Sequence, residues 1–197
     1  MAKHNLPEPP RVVTPEGMLS FPSLVTKREF NGRKQYDCRI FFDKGTDLWK
    51  LAAAQEEALE ARFGADWAKD RKIKLALVAA GDGNNMDNYA GVEPGMMTLG
   101  AWTEGRIALI DNVRTENGTL ASIETEEDAQ EKFYAGARVR LSLTALTYDY
   151  QGSRGVRFAL DGVQFLKHGQ KLGGGGSRDV RGDFDDGDFD AEDDLLD

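Results

Sequence analysis

Apolar and polar positions alternate most clearly between Ala137 and Tyr150, where Val139, Leu141, Leu143 and Ala145 interleave with Arg138, Arg140, Ser142, Thr144, Tyr148 and Tyr150. A period of two places the first set in a core and the second on an outward face. A second run, Gly155 to Leu166, follows across Gln151-Gly152-Ser153-Arg154, so the two read as a hairpin. An earlier hairpin is signalled by Asn31-Gly32 between Met18–Phe30 and Lys34–Phe42, because this dipeptide suits a two-residue turn with both φ angles positive. Between these hairpins the period changes. Leu48, Leu51, Ala52, Ala58, Leu59 and Phe63 recur at helical spacing, with Thr46 as the expected cap, Asp47 at the positive end of the dipole and Gly64 as the stop.

From Lys72 to Asn117 the pattern loosens. Ile73 to Ala80 reads as a strand or a buried helix end, Gly81 to Asn85 as a loop, and Met96–Trp102 and Arg106–Ile110 as short strands. Thr125-Glu126-Glu127-Asp128 resembles a capping box that opens a short helical turn up to Tyr134. Several antiparallel strands with one intervening amphipathic helix predict a mainly β fold, a small OB-fold-like antiparallel barrel rather than a βαβ sheet. The division expected is a flexible Pro-rich arm over 1–11, one folded domain over 12–172, and a Gly-rich linker with a disordered acidic tail over 173–197.

Charge sharpens this division. The chain has 197 residues and a formal net charge of −9. Nine acids and no Lys or Arg fall between Gly182 and Asp197, so residues 1–181 balance at 25 acids and 25 basic residues. As a random coil, the segment from Gly173 onward reaches roughly 25 to 30 Å, enough to touch the body that carries it. Its Phe184, Phe189, Leu195 and Leu196 are spaced apolar anchors that a purely solvating tail has no use for.

The candidate chemistry is that of a polyanion binder. A single nucleic-acid strand offers phosphates and unpaired bases, and holding it takes cations along a groove with aromatic rings for stacking. Arg138, Arg140, Tyr148 and Tyr150 share the outward face of their strand, and Arg154 and Arg157 follow across the turn. Lys27, Arg28, Arg33, Lys34 and Arg39 make a second basic cluster in the first hairpin, and Trp102 ends a strand before Arg106. Any one of these side chains also fits ordinary solvation or packing; the joint pattern points to binding.

Other signals are weaker. Cys38, the one cysteine, sits in an apolar strand pattern and reads as a buried thiol in a reducing compartment. Asp82 to Asp87 lacks the ligands and glycine of a calcium loop, and His4 and His168 stand apart without cysteines, so no metal site or other cofactor is expected. The Gly173–Gly176 run has no Lys-Ser/Thr after it, and Arg181-Gly182-Asp183 is a chance tripeptide. No nucleophile–base or paired-carboxylate arrangement suggests an enzyme. Without an apolar run of bilayer length, the expectation is a soluble intracellular protein with no membrane partner.

The blocks Phe133-Tyr134-Ala135-Gly136-Ala137-Arg138-Val139-Arg140, Tyr148-Asp149-Tyr150-Gln151-Gly152-Ser153-Arg154-Gly155-Val156, Leu160-Asp161-Gly162-Val163-Gln164 and His168-Gly169-Gln170-Lys171-Leu172-Gly173-Gly174 occur in this order. Together they resemble the C-terminal half of a bacteriophage family of single-stranded-DNA-binding proteins with an OB fold. The likeness covers most of residues 12–175 and is strongest after Phe133. It implies an OB-fold barrel with an inserted helix, sequence-independent binding of single-stranded DNA in the cytoplasm of an infected bacterium, and an acidic tail that contacts replication proteins such as a DNA polymerase. Replication, recombination and repair are the expected settings, and a homodimer is left open. Within the matched blocks the resemblance assigns DNA contact to Arg138, Arg140, Tyr148 and Tyr150; Arg39, Trp102, Arg154 and Arg157 rest on the residue pattern alone. The rival class is an acidic DNA mimic that binds a host protein, but a mimic would carry its acids across the folded body, which here is neutral.

Overall fold

The computed structural model describes residues 7–81 and 91–172. Its strands are β1 (Arg11–Val13), β2 (Gly17–Phe30), β3 (Arg33–Phe42), β4 (Ile73–Lys74), β5 (Val78–Ala79), β6 (Met97–Thr103), β7 (Ala108–Arg114), β8 (Leu120–Ser122), β9 (Arg138–Tyr150) and β10 (Ser153–Lys167). The helices are α1 (Trp49–Phe63) and α2 (Glu126–Lys132). Strand β9 pairs with β2, β2 with β3, β3 with β6, β6 with β10 and β10 again with β9. This ring closes a five-stranded barrel, as the alternating pattern predicts. All of its seams are antiparallel except β6–β10, where Phe158 and Ala159 run parallel to Ala101 and Trp102.

Both predicted hairpins form, each over a two-residue turn with positive φ at both positions. Asn31 and Gly32 have φ of 51° and 75°, and Gln151 and Gly152 have 49° and 78°. The second turn is tighter than the four residues expected, because Ser153 and Arg154 already pair with Tyr150 and Asp149. On β9 the alternation holds: Val139, Leu141, Leu143 and Ala145 are buried. They join Ile40, Phe42, Leu99, Phe158 and Leu160 in the main core.

The helices differ from expectation at their edges and in number. Helix α1 begins at Trp49, capped at Leu48 without a side-chain bond. Thr46 instead donates its hydroxyl to Asp43 O at 2.7 Å and serves the preceding turn, whereas Asp47 Oδ1 accepts from the helix's first amide, Trp49 N, at 3.1 Å. Its buried stripe is Leu51, Ala54, Gln55, Ala58 and Leu59. Buried Gln55 is explained by its partners, since its Oε1 accepts from Ala76 N at 2.8 Å and Leu77 N at 3.1 Å, two amides between β4 and β5 that lack a ladder. The capping box forms α2, with Thr125 Oγ1 accepting from Asp128 N at 3.1 Å. Ile73 to Ala80 resolves into the two short strands β4 and β5, and the Arg106–Ile110 strand starts later, at Ala108, and runs on to Arg114 against β8, which the sequence pattern does not reveal.

Cys38 is buried, and burial, with the Asp37 charge beside it, pushes its thiol up to about 12. It is therefore a neutral packing group. Among the described residues no helix is long and apolar enough to cross a membrane. The glycine linker, the acidic tail with Phe184, Phe189, Leu195 and Leu196, the Asp82–Asp87 loop and the first six residues of the arm lie outside the described residues.

Candidate nucleic-acid interface

The outward sides of β2, β3 and β6 form an open groove of about 800 Å³, with Phe21, Arg28, Phe30, Arg33, Asp37, Arg39, Gly100 and Trp102 along it. Alternation on β3 sends Cys38, Ile40 and Phe42 into the main core and leaves Gln35, Asp37, Arg39 and Phe41 facing out. The outward row divides in two. Phe41 is covered by Met18 and Met96 in a second small core, whereas Asp37 and Arg39 open onto the groove.

Register then assembles the floor. Across the sheet Asp37 lies opposite Trp102, and Arg39 opposite Gly100. Gly100 has no side chain to raise the floor, and the space a Cβ would take is 3.6 Å from the Arg39 guanidinium. One Arg39 N–H reaches Thr98 Oγ1 at 3.5 Å. On the far side Arg157 of β10 lays its guanidinium over the Trp102 ring, 4.0 Å from the centroid. Its Nη1 is buried and has no hydrogen-bond partner among the described residues. Burial draws the Arg157 pKa below the usual arginine value, Glu104 works against this, and Arg33 adds to it.

The rim is aromatic and basic. Phe21 and Phe30 are each 52% exposed, and Arg28 sits 5.4 Å above the Phe30 ring. Phe21 has φ of 47° in an irregular stretch of β2 between Ser20 and Ser23, a conformation that a bulky residue rarely adopts. Arg28 Nε also bonds Asp37 Oδ2 at 2.5 Å, and buried Gln35 Nε2 donates to the same oxygen at 2.9 Å. At the hairpin tip Lys27 donates to Glu104 O at 2.6 Å and Arg33 pairs with the Glu104 carboxylate at 3.3 Å.

Of the residues predicted to touch nucleic acid, the structure brings Arg39, Trp102 and Arg157 together on this face. It places the others elsewhere. Arg138 and Arg140 do share the outward side of β9 with Tyr148 and Tyr150, but Arg138 and Tyr150 lie at opposite ends of the strand, roughly 40 Å apart at about 3.3 Å per residue. Arg138 pairs with Asp43 at 2.9 Å and Arg140 donates to Thr14 O at 2.9 Å. Arg154 pairs with Asp149 at 3.2 Å and stands 3.8 Å from Asp70. Tyr148 lies across Gly155, where a Cβ would come within 2.7 Å of its hydroxyl, and Tyr150 is 70% exposed. Sequence reasoning missed Phe21, Phe30 and Asp37. Phe21 carries a local signal in the following Pro22, which cannot donate to a ladder and marks an irregularity in a strand; Asp37 becomes visible only through register.

No curated protein sequence matches the chain significantly. The fold resembles that of the single-stranded DNA-binding protein from bacteriophage Enc34 in complex with ssDNA, with a TM-score of 0.65 and 16% identity over 83% of this chain and 89% of that one. It also resembles gp2.5, a single-stranded DNA binding protein encoded by bacteriophage T7, with a TM-score of 0.55 and 12% identity over 87% of this chain and 93% of that one. At such identities the likeness is one of fold. The sequence itself matches, over residues 10–196, the model of the family described as Enterobacter phage Enc34, ssDNA-binding protein, and with nearly its whole length matched the chain belongs to that family.

Proposed function

We propose that this protein binds single-stranded DNA along the groove of β2, β3 and β6, without sequence specificity overall, and coats exposed strands during phage replication, recombination or repair in the cytoplasm of the infected cell. The observation that carries the reading is the Arg157–Trp102 stack beside Arg39, with Phe21 and Phe30 at the rim: flat surfaces for bases next to cations for phosphates. Arg39, Trp102 and Arg157 form the centre of the site, and Arg138, Arg140, Tyr148, Tyr150 and Arg154 give peripheral contacts. The protein acts by binding and carries out no reaction. Residues 12–172 make the binding domain, with 1–11 as an arm.

The tail over 173–197 adds regulation in this reading. Its nine acids after Gly182 compete with phosphate for the same Arg and Lys groups at high effective concentration. DNA displaces it, and Phe184, Phe189, Leu195 and Leu196 then engage a DNA polymerase or another replication protein where the barrel is loaded. The experiment is a titration of labelled single-stranded oligonucleotides with full-length protein and with protein truncated after Gly176, at low and moderate salt. Both forms should bind, the truncated one more tightly, most clearly at low salt where charges beyond about 8 to 10 Å still interact. Failure of either form to bind any single strand overturns the DNA reading. Equal or weaker binding by the truncated form leaves the tail as a solubility device.

A further inference from the structure

The groove and the Trp102 stack beside it contain two polar atoms without hydrogen-bond partners among the described residues. Asp37 Oδ1 and Arg157 Nη1 are the buried side-chain polar atoms among the described residues that lack one. Both belong to residues beside Trp102: Asp37 lies opposite it on β3, and Arg157 stacks on its ring from β10. An acceptor kept dry with no donor is costly to leave so, and a carboxylate on the floor of a groove for a polyanion adds repulsion. The other Asp37 oxygen is fully engaged, by Arg28 and Gln35. Arg28 is half-exposed at the rim, with 53% of its side chain accessible, whereas Gln35 is buried. A phosphate at the rim can draw Arg28 aside while Gln35 continues to hold Oδ2. That movement opens Oδ1 to the groove.

We infer that Asp37, beside Trp102, forms a base-edge subsite that favours bases carrying an exocyclic amine over thymine. The inference rests on the strand lying in this groove. Cytosine offers a 4-amino donor where thymine offers the O4 acceptor, so an acceptor at the floor attracts the first and repels the second. Adenine and guanine also bring amines, but the two pyrimidines are matched in size and isolate this contact. One such position within a longer footprint tilts an otherwise sequence-tolerant binder without making it specific.

Asp37→Asn makes the test sharp. An asparagine would keep its carbonyl toward Gln35 and Arg28, which are both donors, and so place its NH₂ where Oδ1 was. The acceptor becomes a donor in an isosteric side chain. Affinities of wild-type and D37N protein for oligo(dC) and oligo(dT) of equal length should show the dC/dT ratio falling on substitution by roughly two- to tenfold, the worth of one net hydrogen bond. If Asp37 only positions Arg28, both affinities fall together and the ratio stays fixed, which overturns the inference. A second measurement needs no variant: wild-type protein should bind an oligonucleotide of pyrimidin-2-one, cytosine without its amine, two- to tenfold more weakly than oligo(dC). Equal binding of those two overturns the inference as well. Both failures leave the groove reading intact as long as Arg39→Ala weakens every oligonucleotide alike, whereas indifference of all strands to Arg39→Ala removes the groove reading itself.

Discussion

Two outward faces of the barrel carry arginines and aromatic rings at alternating strand positions, and they differ in what those groups are already doing. On β9 the protein satisfies its own cations: Arg138 has Asp43, Arg140 has the Thr14 carbonyl, and Arg154 beyond the turn has Asp149. On the face of β3, β6 and β10, Arg157 keeps an unpaired N–H while its guanidinium plane lies on Trp102. A surface ion pair contributes little to stability, but it also lowers the field a cation presents to a ligand. Cations on both faces are thus partly spent on the protein's own acids, Arg28 and Arg33 included, and what sets the β3, β6 and β10 face apart is the Arg157–Trp102 stack with its unpaired N–H.

The largest effect that sets the two faces apart is expected from stacking. Trp102→Ala removes the ring under Arg157 and should weaken single-strand binding roughly tenfold to a hundredfold, since a base–aromatic stack contributes about 1 to 3 kcal/mol. The double change Tyr148→Ala, Tyr150→Ala should cost less than about threefold, the share of rings at the end of a strand with one partly covered. Fluorescence anisotropy on one oligonucleotide, with thermal melts to show that both variants fold, decides the matter. A larger loss from the tyrosine pair would move the site to β9.

A smaller effect concerns salt. Each phosphate contact on a single strand adds about 0.7 to the slope of log affinity against log salt. Arg39→Ala should therefore make the slope shallower by about that amount, while Arg138→Ala, a peripheral contact already paired with Asp43, should change it by less. Equal changes in the two slopes would erase the distinction between the faces.

The strands themselves were legible because their signals are local. The Asn31-Gly32 turn, the period of two through Val139, Leu141 and Leu143, and the Thr125 cap each sit within a few residues, and each forms as the residues dictate. Alternation also told correctly that Arg138, Arg140, Tyr148 and Tyr150 point outward. What it could not tell is which outward residues meet, because that depends on pairing between strands far apart in sequence. Asp37 meets Trp102 across a separation of 65 residues, and Trp102 meets Ala159 across 57. Composition likewise marks Lys27, Arg33 and Arg39 as one basic cluster, yet only the pairing of the hairpin tip with Glu104 shows that part of it is held in check.

Glu104 yields the smallest effect and the one of opposite sign. Its carboxylate pairs with Arg33 and also acts on Arg157, so a single acid opposes two cations at one end of the groove. A DNA phosphate carries the same charge and would take the same partners, which makes Glu104 a competitor of the strand. Glu104→Gln keeps the side chain's size and the backbone carbonyl that accepts from Lys27, and removes only the charge. Because Arg33 and Glu104 are both more than half exposed, water and salt screen much of the interaction, and the gain in affinity should be about two- to fivefold. It should shrink as salt rises, since screening weakens the wild-type competition that the change removes. The control lies on the other face: Asp43→Asn frees Arg138 in the same way, and because Arg138 is a peripheral contact it should raise affinity by less. A gain from Asp43→Asn equal to that from Glu104→Gln would mean that any freed arginine on this barrel attracts the strand, and that the groove holds it no better than the rest of the surface.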